Sequence, residues 1–182
     1  MVASLATASG LQAGWHFPVG FGYATGFSNV VDVMEDRYGF DFKWEFPLGP
    51  VFSPYYEFEN GFGIGATLGP GLGFTVDEDG DDDADSVEVI IPLGLDARYA
   101  YAFGDHAAFA RAGLRATAAF GDYLDSGDPG LYGGLGMEFY RTQTVGFGFE
   151  VGYDSSEIEV SNGFTAFDVK PTEWVVSGFI LF

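Results

Sequence analysis

Five charged side chains stand where a strand would turn them all to one side: Arg98, Arg111, Arg115, Glu138 and Glu150. The residues before and after each are apolar, as in Ala97-Arg98-Tyr99 and Met137-Glu138-Phe139. Asp96 and Glu57 fall on the same side and complete the set. Their chemistry is ion pairing in a confined space, for which arginine suits because its planar fork can serve two carboxylates at once. Hairpin arithmetic predicts their neighbours. A turn at Gly104-Asp105 sets Arg98 opposite Arg111. The loop Asp122–Gly130 sets Glu138 between Arg111 and Arg115. A turn at Gln143 sets Glu138 opposite Gly148 and Glu150 opposite Gly136.

Two other groups have chemistry-bearing types. Asp77, Asp79, Asp81, Asp83 and Asp85 alternate through an acidic loop containing Gly80. A hard cation such as Ca²⁺ takes several carboxylate oxygens, and a glycine permits a tight turn. The spacing does not match an EF-hand, since Ser86 stands where its bidentate acid would be. The plainer reading is a solvated, mutually repelling loop. Otherwise the chain offers only His16 and His106 as bases, and no Ser-His-acid spacing accompanies them. No enzyme is expected, and no cofactor beyond that Ca²⁺ reading.

The elements that must position these residues are strands. From Phe62 to Val76 the chain alternates: Phe62, Ile64, Ala66, Leu68, Pro70, Leu72, Phe74 and Val76 against glycines and threonines. A period of two means a β-strand, here one with an apolar face and a face of almost bare glycine. The pattern recurs over Gly10–Phe27, Tyr38–Glu59 (interrupted by Pro47, Pro50 and Pro54), Val87–Ala102, Ala107–Gly121, Leu131–Arg141, from Val145 and over Thr172–Phe182. The second segment reads as one kinked strand, with a small hairpin at Phe46–Val51 as the alternative. Ser28–Arg37 reads as a polar loop. Parity turns Pro18 and Pro92 toward the glycine side, Pro54 and Pro70 away from it. Such prolines shape bulges or weaken the ladder enough for a side opening.

Composition narrows the class. The 182 residues suit one domain, with residues 1–9 as an N-terminal tail. That tail lacks the basic and apolar regions of a complete secretory signal, while Ala6-Thr7-Ala8 resembles a cleavage site. The chain therefore reads as mature, with a supplied Met. A net charge of -20 argues against nucleic-acid binding. Yet 18% aromatic residues argue against disorder. No apolar run is long enough for a transmembrane helix. A soluble barrel with its apolar face inside would crowd too many aromatic rings into a narrow interior.

Eight strands result, with short turns after the second, fourth and sixth and long acidic loops after the first, third, fifth and seventh. The expected fold is all-β: an eight-stranded antiparallel up-and-down transmembrane barrel, its even count leaving no edge in lipid. The alternation, the strand count, the loop asymmetry and the terminal Trp174-Val-Val-Ser-Gly-Phe-Ile-Leu-Phe182 carry a resemblance. The chain resembles the small eight-stranded outer-membrane barrels, the class of OmpX, OmpW and the OmpA membrane domain. Trp174, Val176, Ile180 and Phe182 resemble the insertion signal of that class. The resemblance implies a Gram-negative outer membrane, loops outside and both termini periplasmic. It implies lipid bilayer, lipopolysaccharide and barrel-insertion machinery as partners, with no nucleic acid. The acidic rim could then trade divalent ions with lipopolysaccharide. The function expected first is a narrow pore or passive conduit for small solutes. A non-conducting barrel presenting acidic loops to a partner or to divalent cations is the alternative, and a lipid-modifying enzyme comes third. For the inward charges the two readings are an ionic core and a gate.

Overall fold

The computed structural model describes residues 13–77 and 86–182. In chain order the elements are β1 (Gly14–His16), β2 (Val19–Ala24), α1 (Phe27–Tyr38), β3 (Asp41–Phe46), β4 (Leu48–Phe52), β5 (Tyr55–Glu57), β6 (Phe62–Leu68) and β7 (Leu72–Asp77). Then come β8 (Ser86–Phe103), β9 (His106–Phe120), β10 (Leu124–Ser126), β11 (Gly130–Phe139), β12 (Gly146–Asp154), β13 (Ile158–Ser161), β14 (Ala166–Val169) and β15 (Trp174–Leu181). Eight antiparallel staves form a closed barrel. The first is β1 with β2, the second β3 to β5, the third β6 with β7; β8, β9, β11, β12 and β15 are one stave each. β15 closes on β2 in register from Val175 opposite Ala24 to Ile180 opposite Val19. The second stave is one kinked strand and not a hairpin, because β3 pairs β7 while β4 pairs β2 and β6.

Over most of the barrel the apolar side chains point out. Trp15, Phe21, Ile64, Leu95, Leu114, Leu135, Phe149 and Ile180 are all exposed, and Leu95 reaches 72%. Near the long loops this order reverses. Leu68 is exposed and Leu72 is buried, although a pleat without interruption would put residues four apart on one face. The expectation of one apolar face from Phe62 to Val76 therefore fails at Gly69-Pro70-Gly71. Gly69 has φ of +99°, and a Cβ there would lie 2.1 Å from the Pro50 carbonyl oxygen, so only glycine fits the break. Pro70 consequently packs inside, against the position of Gly22, and not outward as parity predicted. The second stave reverses beside it: Phe42 pairs Val76 and Trp44 pairs Thr75, a bulge that turns Phe42 to the interior.

The reversal makes a second core. Leu72, Phe74, Val76 and Ile90 point into the long-loop end and meet α1. The stretch read as a polar loop is this helix. Phe27, Val30, Val31 and Met34 recur at the spacing of one helical face and are buried. Gly39 ends the helix in the left-handed conformation, its N–H donating to the Glu35 carbonyl at 3.0 Å. Phe27 and Phe74 meet edge to face at 5.7 Å. β10, β13 and β14 form a separate three-stranded sheet over the helix, contributing Leu124, Ile158, Val160 and Val169 to the same core. The Tyr38 hydroxyl ties helix to sheet, reaching the carbonyls of Val160 at 3.1 Å and Thr165 at 2.9 Å.

Candidate functional site: the barrel interior

All seven predicted interior charges are buried or nearly so inside the barrel, in two clusters. The cluster nearer the long loops joins Arg111, Arg115, Asp96 and Glu150. Arg111 engages Glu150 with its Nε at 3.0 Å and its Nη2, and donates from Nη1 to Thr67 Oγ1 at 3.1 Å. Thr67 donates in turn to Asp96 at 2.7 Å, and Arg115 lies 3.3 Å from the same carboxylate. The Tyr132 hydroxyl donates to Glu150 at 2.6 Å, while its ring lies under Arg115 at 4.1 Å. Two guanidiniums thus face two carboxylates, and a tyrosine and a threonine share the oxygens.

The cluster nearer the short turns joins Arg98, Arg141, Glu57 and Glu138. Glu57 and Glu138 are both 0% exposed. Arg98 Nη1 sits 2.8 Å from Glu138, and the Tyr55 hydroxyl donates to the same oxygen at 2.9 Å. Arg141 donates to Glu57 at 2.7 Å and lies 3.6 Å from Glu138. The Arg98 guanidinium is sandwiched between the rings of Tyr55, at 4.2 Å, and Phe109, at 4.0 Å. A buried charge left alone in such surroundings is costly, and pairing with hydrogen bonds offsets the cost.

The register explains what the spacing predicted and what it missed. Arg98 pairs Arg111, Glu138 pairs Gly148 and Glu150 pairs Gly136, as expected. Glu138 does not fall between Arg111 and Arg115. It pairs Ala107, while Gly134 pairs Arg111 and Gly130 pairs Arg115. The irregular loop containing β10 hid the true centre of that connection. Arg141 is the charge the pattern missed. Tyr140 takes a positive φ of 55° and rotates the next side chain inward, which alternation alone would not reveal. Tyr55, Tyr132 and Thr67 were also missed as partners, though their parity matched. The one signal for Arg141 was charge balance, since Glu57 had no other cation.

The glycine wall makes room for large side chains. A Cβ at Gly94 would strike Arg115 at 2.4 Å, at Gly134 the Glu150 carboxylate at 2.4 Å, and at Gly152 the Tyr132 hydroxyl at 2.2 Å. Two cavities among the described interior residues have volumes of about 20 Å³ and about 10 Å³. The larger is room for about one water molecule. Above the ionic clusters the α1 core fills the long-loop end.

The other predicted residues lie apart. His16 is inside at the short-turn end, stacked on Tyr55 at 4.8 Å, and His106 is at a turn against Tyr140. Trp174, Val176, Ile180 and Phe182 share the outward face. Of the acidic-loop aspartates, Asp77 is buried at the end of β7; Asp79, Asp81, Asp83 and Asp85 lie outside the described residues. Among the described residues, no cluster of three or more His, Asp or Glu could hold a metal ion.

No family model matches the chain, and no curated protein matches it. Solved structures do. The outer membrane protein OprG from Pseudomonas aeruginosa is 15% identical, with 92% of this chain and 93% of that one covered and a TM-score of 0.62. Neisserial surface protein A is 12% identical, with 94% and 98% covered and a TM-score of 0.56. At such identities the likeness speaks to fold alone: the chain has the closed, eight-stranded antiparallel architecture of the small outer-membrane barrels.

Proposed function

We propose that the chain is a sealed barrel of the bacterial outer membrane that holds a folded acidic cap outside the cell and acts by binding there. The observation that carries this reading is the filled interior among the described residues: apolar plug, ionic cluster, ionic cluster, with a cavity of about 20 Å³ between the clusters. The apolar outward band is the part that meets lipid, and the short-turn end with both termini faces the periplasm. Four of the seven cationic side chains are used inside against four acids. The remaining three stand against 23 acids, so the rest of the chain is strongly negative. The partner class that fits is cationic: basic peptides, or divalent ions bridging to lipopolysaccharide phosphates. Reconstituted in planar bilayers, the protein should be electrically silent, and an oligolysine probe should bind it with an affinity that falls steeply with salt. Stable single-channel steps would overturn the sealed reading.

A conduit remains as a second reading, favoured by the wall at Ser53-Pro54. There the second and third staves share the pair Phe52–Leu68 and then Tyr55–Gly65, a gap in the ladder spanned by one hydrogen bond, from the Ala66 N–H to the Pro54 carbonyl at 3.0 Å. A groove of about 610 Å³ lies outside the gap, lined by Trp15, Pro54, Ile64 and Leu95. An apolar solute leaving sideways into lipid would pass here. Cysteines at Pro54 and Ala66, oxidised to a cross-link, should abolish apolar-solute transfer into proteoliposomes; transfer that survives the cross-link rules this route out.

A further inference from the structure

Between the two ionic clusters lies the cavity of about 20 Å³, bordered by Arg98, Arg111, Ser53, Ser177, Glu150 and Phe109. Arg98 is 5% exposed and Ser53 is 6% exposed. Arg98 gives Nη1 to Glu138, and aromatic rings cover both faces of its guanidinium. Its Nε and Nη2 hydrogens, the side-on edge that ordinarily grips an anion, have no acceptor among the described residues. The hydroxyl of Ser53, on the wall of the same cavity, also has no partner among the described residues. Glu150, the one carboxylate on the cavity wall, is already engaged by Arg111 and by Tyr132. The unused arginine hydrogens are donors only, the Ser53 hydroxyl can donate as well as accept, and two guanidiniums border the space.

We infer that this cavity is a binding site for a single monatomic anion, chloride under ordinary conditions. The ion accepts from the free edge of Arg98 and from Ser53, with the Arg111 guanidinium adding positive potential. Water is the neutral occupant of similar size, since the Ser53 and Ser177 hydroxyl oxygens can accept its hydrogens, and an anomalous bromide peak separates the two. Phosphate, sulfate or a carboxylate is too large for the space. The ion bridges the two clusters and holds Arg98 in its sandwich, which makes halide part of the folded barrel. This assignment does not depend on the proposed function: a barrel that conducts with halide bound would sink the sealed reading and leave the site standing.

The test uses the intact protein in detergent. A ligand that binds only the folded state raises the melting temperature with each tenfold rise in concentration above its dissociation constant, by about 3–5 °C for a chain of this size. Chloride and bromide should do so at constant ionic strength, and gluconate, which cannot enter, should not. Crystals grown in bromide should show an anomalous peak beside Arg98. Arg98→Gln should abolish both signals. Where that variant fails to fold, Ser53→Val, which fills the cavity and removes a donor, should abolish them in a folded barrel. No halide dependence and no bromide peak would overturn the assignment, as would a peak that persists unchanged in Ser53→Val.

Discussion

The two ends of this barrel solve opposite packing problems. Around the short-turn half the outer face is apolar and the interior holds four arginines, four acids and their tyrosine partners. Around the long-loop end the interior is mainly Phe27, Met34, Leu72, Phe74 and Ile90, with Glu88 buried at its edge where it accepts from the Asp122 N–H at 3.0 Å. The side that meets water exchanges places with the side that is buried. The exchange is made in two adjacent staves, by the Gly69–Gly71 break and by the bulge after Phe42. The difference teaches that one strand can serve lipid below and an aqueous cap above, provided that a half-step in the pleat lies at the boundary.

The comparison can be broken first in the ionic half. Glu138→Ala removes the acceptor shared by Arg98, Arg141 and Tyr55, leaving charges buried without a partner. Loss of about 3–5 kcal/mol is expected, since the surviving partner keeps its desolvation cost. Unfolding in detergent should show it as a single lower transition of the whole barrel. An unchanged transition would mean that the cluster contributes nothing to closure.

In the cap half the corresponding change is Phe74→Ala, which empties the centre of the apolar plug. Its expected cost is about 3 kcal/mol. The barrel should keep its heat-modifiable migration while hydrogen exchange across Phe27–Tyr38 accelerates. Loss of both together would show that the two ends are one cooperative unit.

A smaller effect sharpens the contrast of surfaces. Leu95→Arg places a charge at the outward face of the middle of β8 and should cost about 2–3 kcal/mol in a bilayer. Phe164 is 95% exposed between β13 and β14, in the cap. Phe164→Arg there should change stability by no more than about 0.5 kcal/mol. Equal costs would mean that the apolar band is misplaced.

Alternation and turn chemistry made the barrel legible. The eight staves, the kinked second one and the inward charges all follow from period-two runs broken by turns. The cap was not legible for a physical reason. Val30, Val31 and Met34 give helical spacing, but the helix is only 12 residues long and Gly26 supplies no side-chain cap. The reversal in the third stave was hidden because glycine and proline at Gly69–Gly71 preserve the look of alternation while the backbone turns over. Phe74 in the plug has the same type and parity as Phe62 on the outside, and only the backbone between them tells them apart. In the candidate site, parity found seven charges. Arg141 escaped because a left-handed Tyr140, and not strand geometry, aims it.

The most direct test of the two-regime barrel is a nitroxide scan of residues 62–76 in lipid, on a 182-residue chain with no cysteine to remove. Accessibility to dissolved oxygen should peak at Phe62, Ile64, Ala66 and Leu68, then lose phase, with Leu72, Phe74 and Val76 protected from oxygen and from a water-soluble relaxer alike. Oxygen maxima that continue in phase through Leu72, Phe74 and Val76 would contradict the account.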